Sequence, residues 1–130
     1  MAFNSMQRET PAIFYLIVIN VLAYLAQQIL PFATEWGALH YFQSSLFKPH
    51  QIITCMFLHG SLGHIFLNMF ALWIFGSILE QSLGSKRFLN FYMICGIGAS
   101  ILVQLNIPFS ASVYIKSLTD VVEQNDIAQM

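Results

Sequence analysis

Three polar side chains that could do chemistry lie close together in an apolar stretch of this sequence. His59, His64 and Asn68 occupy the first half of segment 59–80, which has no formally charged residue before Glu80. Unpaired polar groups are costly in apolar surroundings, so their presence at the start of a membrane helix indicates chemistry. His64 and Asn68 are four positions apart and would project from one helix face. Both can donate hydrogen bonds where water is scarce, as stabilisation of a developing oxyanion requires.

Two other interpretations of these residues follow from the same pattern. Polar side chains also join neighbouring membrane helices, and composition alone does not separate that structural role from chemistry for His64 and Asn68. A metal or haem site is less favoured, because residues five apart, such as His59 and His64, lie roughly 140° apart around a helix. We therefore predict no metal and no cofactor, and we assign no role to His40 or His50.

The composition places the chain in a membrane. With 57% hydrophobic and only 8% charged residues, 130 residues are too apolar to be covered by the surface of one soluble domain. The net charge of −1, without a basic block, gives no indication of nucleic-acid binding, so the lipid bilayer is the expected partner. Cys55 and Cys95 lie in apolar runs without metal-ligand spacing, and we expect both to be small buried side chains.

Gaps between charged residues predict three transmembrane helices, because a charge at the bilayer centre costs about 2.5–3.5 kcal/mol. We place the helices at about 12–30, 63–79 and 88–105, each long enough to cross or nearly cross the hydrocarbon core. The first is bounded by Pro11 and Pro31, and we expect Asn106 and Pro108 to break the third. The predicted fold class is an all-α membrane protein.

The segments outside these helices complete the predicted organisation. Residues 1–10 form an N-terminal tail, residues 11–105 form the membrane domain, and residues 106–130 form a polar C-terminal tail. Between the first two spans, aromatic residues alternate with isolated polar residues, which is typical of a segment in the membrane interface. We expect a long interfacial loop with short helices there, and not a fourth span.

The positive charges predict an orientation by a small margin. Three spans place Arg8 with Lys86 and Arg87 on one side of the membrane, and Lys48 and Lys116 on the other. The positive-inside rule then favours a cytoplasmic N-terminus in a plasma or inner membrane. His59 and His64 would enter the bilayer from the outer face.

Several fixed spacings in this region together resemble the rhomboid intramembrane serine proteases. The resemblance covers Phe57 to Phe70, which contains the HxxxxHxxxN pattern, then Phe75-Gly76, Leu79-Glu80 and Leu83-Gly84 through Phe88. It corresponds to the family's second transmembrane helix, the glutamate that ends it and the turn into the third helix. The chain would then be the first half of a six-helix bundle.

The resemblance implies roles at the matching positions. His64 and Asn68 would help bind the oxyanion of the tetrahedral intermediate, with His59 as a supporting residue at the helix mouth. Glu80 and Gly84 would be structural. Many rhomboids have a Trp-Arg pair where this chain has His50-Gln51, so the resemblance leaves the anchoring of the first loop open.

Rhomboid chemistry also uses a serine in a GxSG turn and a later histidine, and neither occurs in these 130 residues. Ser110 and Ser112 are the late serine candidates, but they lack the flanking glycines, and no histidine follows His64 to serve as base. We expect the amino-terminal half of a protease, truncated before its catalytic serine and inactive alone, whose partners are the missing helices or transmembrane substrates. The alternative is a non-catalytic rhomboid-like protein that binds transmembrane helices.

Overall fold

The chain folds into helices joined by tight turns and one long loop. The computed structural model describes the backbone of residues 2–128, with side chains for residues 4–106, 116, 119, 120 and 122–124. The helices are α1 (Ala2–Glu9), α2 (Pro11–Ile29), α3 (Pro31–Gly37), α4 (Gln51–Thr54), α5 (Leu62–Ala71), α6 (Ser77–Leu83) and α7 (Ser85–Ala128). A short 3-10 turn (Cys55–Phe57) follows α4, and a π-helical turn (Leu72–Gly76) joins α5 to α6.

Three helical segments are long and apolar enough to cross a membrane, which confirms the predicted fold class. They are the first span, Pro11–Ile29, the second span, Leu62–Leu83, and the third span, Ser85–Asn106. Large apolar side chains remain exposed on all of them, as at Leu22, Phe66 and Ile94. Exposed apolar helix faces of this kind are compatible with lipid contact and would be costly in water.

The ends of the spans follow from local chemistry. Pro11 and Pro31 occupy the first positions of α2 and α3, where the missing N–H is not needed. The Ser61 side chain accepts a hydrogen bond from the His64 amide and caps the start of α5. Gly84 ends α6 with a φ of 83°, which a residue without a β-carbon adopts readily, so the second and third spans turn tightly into each other.

The second span contains a widened turn that the sequence pattern did not indicate. The π-helical turn at Leu72–Gly76 rotates the α6 face relative to the α5 face, because it adds a residue to one turn. Gly76 is buried there, and a β-carbon on it would overlap the Ile13 side chain. This glycine therefore permits close contact between the first two spans.

The predicted break after residue 105 is wrong for the backbone. The α7 helix continues through Asn106 and Pro108 to Ala128. A proline inside a helix removes one backbone hydrogen bond and costs about 3 kcal/mol, but the other turns of a long helix can offset this loss. The segment 106–130 is therefore helical as far as residue 128, and its polar composition alone does not decide its backbone conformation.

The loop between the first two spans contains short helices, as expected, and is held to the third span by polar contacts. The Gln104 side chain accepts from the Phe42 amide at 3.0 Å and donates to the His40 carbonyl at 2.7 Å. One turn earlier, the Ser100 hydroxyl donates to the Ile52 carbonyl at 3.0 Å. Gln104 and Ser100 are both 6% exposed, so these contacts fix the loop against α7 instead of leaving it solvated.

Gln51 organises the interior of this loop. Its contacts show how the loop is anchored where this chain has His50-Gln51. The Gln51 side chain is 1% exposed. Its Oε1 accepts from the amides of His40 and Lys48 at 3.3 and 3.1 Å, and its Nε2 donates to the Leu46 carbonyl at 3.1 Å. His50 stacks on Trp36 with ring centroids 4.2 Å apart. The pair therefore anchors the loop with an amide and a stacked ring.

Candidate functional site at the mouth of the second span

His59 is held by an amide side chain from the first span. Gln27 Oε1 accepts from the His59 N–H at 3.0 Å, and Gln27 Nε2 donates to the His59 carbonyl at 3.2 Å. His59 itself is 4% exposed. The Gln27 side chain thus satisfies both the N–H and the carbonyl group of His59. This pair of hydrogen bonds fixes the position of the backbone just before the second span.

His64 lies in the first turn of α5 with one ring nitrogen engaged. The Gly60 N–H donates to His64 Nδ1 at 3.4 Å, a long hydrogen bond. An Nδ1 that accepts carries no proton, so the tautomer that fits this contact is the one with its proton on Nε2. The ring is exposed, and in this tautomer its Nε2–H group can donate a hydrogen bond. That is the form an oxyanion requires.

The two histidine rings lie against each other, contrary to the separation predicted from helical geometry. Their centroids are 5.1 Å apart in an edge-to-face arrangement. The estimate of roughly 140° assumed that both residues were helical. The helix begins only at Leu62, so His59 lies in the preceding turn and its direction is not set by the helix period.

The environment lowers the pKa of His59 below its ordinary value of 6.5. Burial is the main cause, since it penalises the charged imidazolium; the nearby His64 lowers the pKa further, and a hydrogen bond to the Phe57 carbonyl partly opposes both effects. His59 is therefore biased toward its neutral form at the pH where most cells work.

Asn68 and His59 line one polar cavity of about 300 Å³ between the spans. Asn20 from the first span and Tyr92 from the third also line it. Asn20 is fully buried, with its Nδ2 donating to the Leu16 carbonyl at 2.7 Å. Two buried atoms on this cavity, Asn20 Oδ1 and His59 Nδ1, have no hydrogen-bond partner among the described residues. The cavity therefore presents acceptor capacity beside Asn68.

Glu80 lies at the opposite end of the second span and does not reach this site. Its carboxylate accepts from the backbone amides of Ala12 and Ile13 at 2.8 and 2.9 Å, and from the Ser85 hydroxyl at 2.6 Å. These amides belong to the first turn of α2, so Glu80 acts as an N-terminal cap supplied from another helix. Glu80 and Gly84 thus hold the first two spans and the turn into the third in place.

A larger apolar groove lies between the second and third spans. Its volume is about 600 Å³, and small residues including Ala71, Gly76, Gly96 and Ala99 form part of its lining. Cys55 and Cys95 also line it. The expectation that both cysteines are buried is wrong, because Cys55 is only partly buried and Cys95 is exposed. A membrane protein exposes apolar side chains to lipid, so apolar character does not imply burial here.

Sequence reasoning missed the amides that support the site. Asn20 and Gln27 lie within an otherwise apolar span, where polar groups are costly, and this cost is the signal that could have identified both. Gln51 gave no comparable signal, because it lies in a loop with many polar residues. The side chains of Ser110 and Ser112 lie outside the described residues.

Within the part of the chain that the structure describes, no group of three or more histidine, cysteine, aspartate or glutamate side chains is arranged to hold a metal ion. The His59 and His64 pair therefore has no third side chain of these types arranged with it among the described residues.

The fold and the site define a multi-pass membrane protein with a histidine–asparagine pair at the mouth of its second span. The Rhomboid domain matches residues 47–115, more than half of the chain, so the chain belongs to the rhomboid family. No solved structure gives a significant match.

Curated relatives extend this similarity to plants and bacteria. Rhomboid-like protein 11, chloroplastic, of Arabidopsis thaliana is 30% identical over 115 residues, covering 81% of this chain and 37% of the relative. RHOMBOID-like protein 6, mitochondrial, of the same plant is 44% identical over 63 residues, covering 48% of this chain and 20% of the relative. Rhomboid protease GluP of Bacillus subtilis (strain 168) is 34% identical over 62 residues, covering 48% and 12%. The chain thus spans well under half the length of these relatives.

Proposed function

We propose that this chain supplies the oxyanion-binding side of a rhomboid-type intramembrane serine protease. The observation that carries the proposal is His64, whose Nδ1 accepts from Gly60 and whose Nε2–H is left to donate, one helical turn before Asn68. Membership of a family that includes a named protease supports the assignment. The substrates would be proteins that span the membrane.

The proposed chemistry is amide hydrolysis in two stages. A serine oxygen adds to the scissile carbonyl carbon, its proton passes to a base, and the carbonyl oxygen becomes an oxyanion. His64 Nε2–H and Asn68 Nδ2–H donate to that oxygen as its charge develops. The C–N bond then breaks as the proton moves to the leaving amine, and water releases the acyl group. Removing one such donor typically costs about 10²–10³ in rate.

The nucleophile and the base of this reaction come from helices other than those described. These 130 residues hold no GxSG turn and no histidine after His64, so we expect no proteolysis by the chain alone. His59 and Gln27 are positioning residues in this scheme, because they act through the backbone and ring at the helix mouth.

The coding DNA beyond the Met130 codon provides the direct test. Reading it in all three forward frames should find a GxSG segment, two further spans and a histidine. In the protein with those helices, His64→Ala and Asn68→Ala should each lower kcat about 10²–10³-fold, whereas Gln81→Ala, on an exposed surface, should not. Absence of the downstream segment, or full activity of both variants, would contradict the proposal. Fluorophosphonate labelling of Ser110 or Ser112 in the chain alone would contradict its inactivity.

A second candidate function is the non-catalytic binding of a transmembrane helix. The observation in its favour is the groove of about 600 Å³ between the second and third spans, which is lined by small and apolar side chains. Small residues let helix backbones approach closely in membranes, where such packing drives association.

Cys95 offers a direct probe of this groove, since it lines the groove and is exposed. In a Cys55→Ser background, a small membrane-permeant maleimide should modify Cys95 more slowly when a partner helix is bound. A cysteine at exposed Val103, in a chain with both native cysteines replaced by serine, is the matched control and should show no change. Equal protection at both positions would exclude the groove as the binding surface.

We also propose the orientation expected from the charges, with the N-terminus in the cytoplasm of a plasma or inner membrane. The supporting observation is that Arg8, Lys86 and Arg87 lie on one side of three spans, with Lys48 and Lys116 on the other, a margin of three positive charges to two. Reporter enzymes fused after residue 10 and within loop 41–47 should be active on opposite sides of the membrane. The reverse pattern would overturn the orientation without affecting the site.

A further inference from the structure

A second polar cavity lies in the loop that joins the first two spans, away from the histidine site. Its volume is about 330 Å³, and its lining includes Phe32, Glu35, Trp36, Leu46, Lys48 and Gln51. The proposed hydrolysis uses none of these residues. The cavity combines the Glu35 carboxylate and the Lys48 ammonium group with apolar surface, and the polar residues His40 and Ser45 line it as well. A few polar groups in an apolar lining are typical of a ligand site.

The cavity is held by a buried side chain. Gln51 is 1% exposed, lines the cavity, and bonds to the backbone of Leu46 and Lys48, which line it as well. The backbone of this part of the loop is therefore fixed before any ligand arrives. Preorganisation of this kind reduces the entropy that binding must overcome.

The two charges of the cavity are available to a ligand. Glu35 and Lys48 are both exposed, and in the part of the chain that the structure describes neither side chain makes an ion pair or a side-chain hydrogen bond. A ligand with one anionic and one cationic group would satisfy both charges together. A purely anionic ligand would satisfy Lys48 but would meet the carboxylate of Glu35.

The position of the cavity relative to the membrane indicates the source of such a ligand. The first span ends at Ile29 and the second begins at Leu62, so the intervening loop lies at one membrane surface. Trp36, only seven positions beyond the first span, is 54% exposed, and tryptophan prefers the headgroup level of a bilayer. The cavity therefore lies at the level of the phospholipid headgroups, which are the most abundant polar groups there.

We propose that this cavity binds the headgroup of a phospholipid that carries a phosphate and a primary ammonium, as phosphatidylethanolamine does. Lys48 donates to the phosphate and the Glu35 carboxylate accepts from the ammonium. Phe32 and Leu46 supply apolar wall for the lipid beneath the headgroup. A choline headgroup has no N–H to donate to Glu35, so the cavity selects ethanolamine over choline.

Native mass spectrometry of the full chain in detergent tests this proposal with three lipids of identical acyl chains. Phosphatidylethanolamine should be retained about threefold or more over phosphatidylcholine and phosphatidylglycerol, a modest ratio because the charges are exposed to water. Glu35→Gln and Lys48→Gln should each remove most of this preference. Lys86→Gln and Glu123→Gln, which neutralise exposed charges outside the cavity, should leave it unchanged.

A competition experiment distinguishes a membrane lipid from a soluble molecule that carries the same phosphate and ammonium groups. Glycerophosphoethanolamine, which has the headgroup without acyl chains, should displace the bound lipid only at concentrations far above those of the lipid. Displacement at equal concentrations would overturn the proposed lipid and assign the cavity to a soluble zwitterion. Equal retention of the three lipids, or an unchanged preference in both cavity variants, would overturn the site itself.

Discussion

The carboxylate of Glu80, near the end of the second span, accepts a hydrogen bond from the Ile13 amide at 2.9 Å, although 67 positions separate the two residues. Its other oxygen accepts from Ala12 and Ser85. The first turn of α2 is thus capped from a different helix, while Thr10, at the usual cap position, makes no side-chain cap hydrogen bond. The contact joins the start of the first span to the end of the second.

Replacing Glu80 with alanine should therefore lower the free energy of unfolding by about 2–4 kcal/mol, because two backbone donors and a hydroxyl lose their acceptor in a site that is 2% exposed. Gln81→Ala, at the next and exposed position, should cost under about 0.5 kcal/mol. Unfolding by sodium dodecyl sulfate in mixed micelles measures both. Equal stability of the two variants would show that water or lipid replaces the cap.

Gln27→Leu should loosen the backbone at the mouth of the second span, since it removes both hydrogen bonds to His59. We expect a loss of about 1–2 kcal/mol and faster hydrogen exchange at the His59 amide. Gln28→Leu is the matched control, because Gln28 is exposed and makes no such contact. Unchanged exchange at His59 in Gln27→Leu would contradict the positioning role.

Gln51→Leu should mobilise the loop between the first two spans, because the amides of His40 and Lys48 and the Leu46 carbonyl all lose their partner. The expected cost is about 2–3 kcal/mol. Hydrogen exchange should accelerate at residues 40 and 48, with the spans little affected. Gln43→Leu, an exposed amide in the same loop, should leave the exchange pattern as it is.

The protein should lose stability as the pH falls below the ordinary histidine pKa of 6.5. Burial lowers the pKa of folded His59, so between the folded and unfolded pKa values the unfolded chain binds more protons. The contribution of neutral His59 to the free energy of unfolding is fully present above pH 6.5, and it is lost as the pH falls toward the pKa of His59 in the folded protein. Midpoint temperatures measured from pH 8 to pH 5 should decline, with a smaller decline in His59→Gln. The same decline in both proteins would assign the effect to other groups.

Gly76→Val should separate the first two spans, because its β-carbon would overlap the fully buried Ile13 side chain. We expect a loss of about 1–3 kcal/mol, as for other overpacked sites. Gly98→Val is the control of the same type, since no atom lies within 4 Å of a β-carbon at Gly98. Unfolding in mixed micelles should give a lower free energy of unfolding for Gly76→Val than for Gly98→Val. Equal values would mean that the Ile13 side chain moves aside freely.

Much of the architecture could be predicted because membrane insertion depends on local composition. Charge gaps place the first span within one residue of its observed limits, Pro11 and Ile29. The second span extends four residues beyond the predicted end at Leu79, to Leu83, because the cost of Glu80 is offset by its contacts with α2. The proline rule failed at Pro108, where a long helix tolerates one lost hydrogen bond.

The sequence by itself determined the membrane class, the number of spans and the helical register that places His64 and Asn68 on one face. These properties depend on neighbours a few positions away. Only the tertiary structure decided that Gln27 holds His59, that Glu80 caps α2 and that Gln51 anchors the loop. Each of these contacts joins groups brought together by packing, since a buried polar atom takes its partner from whichever element lies beside it.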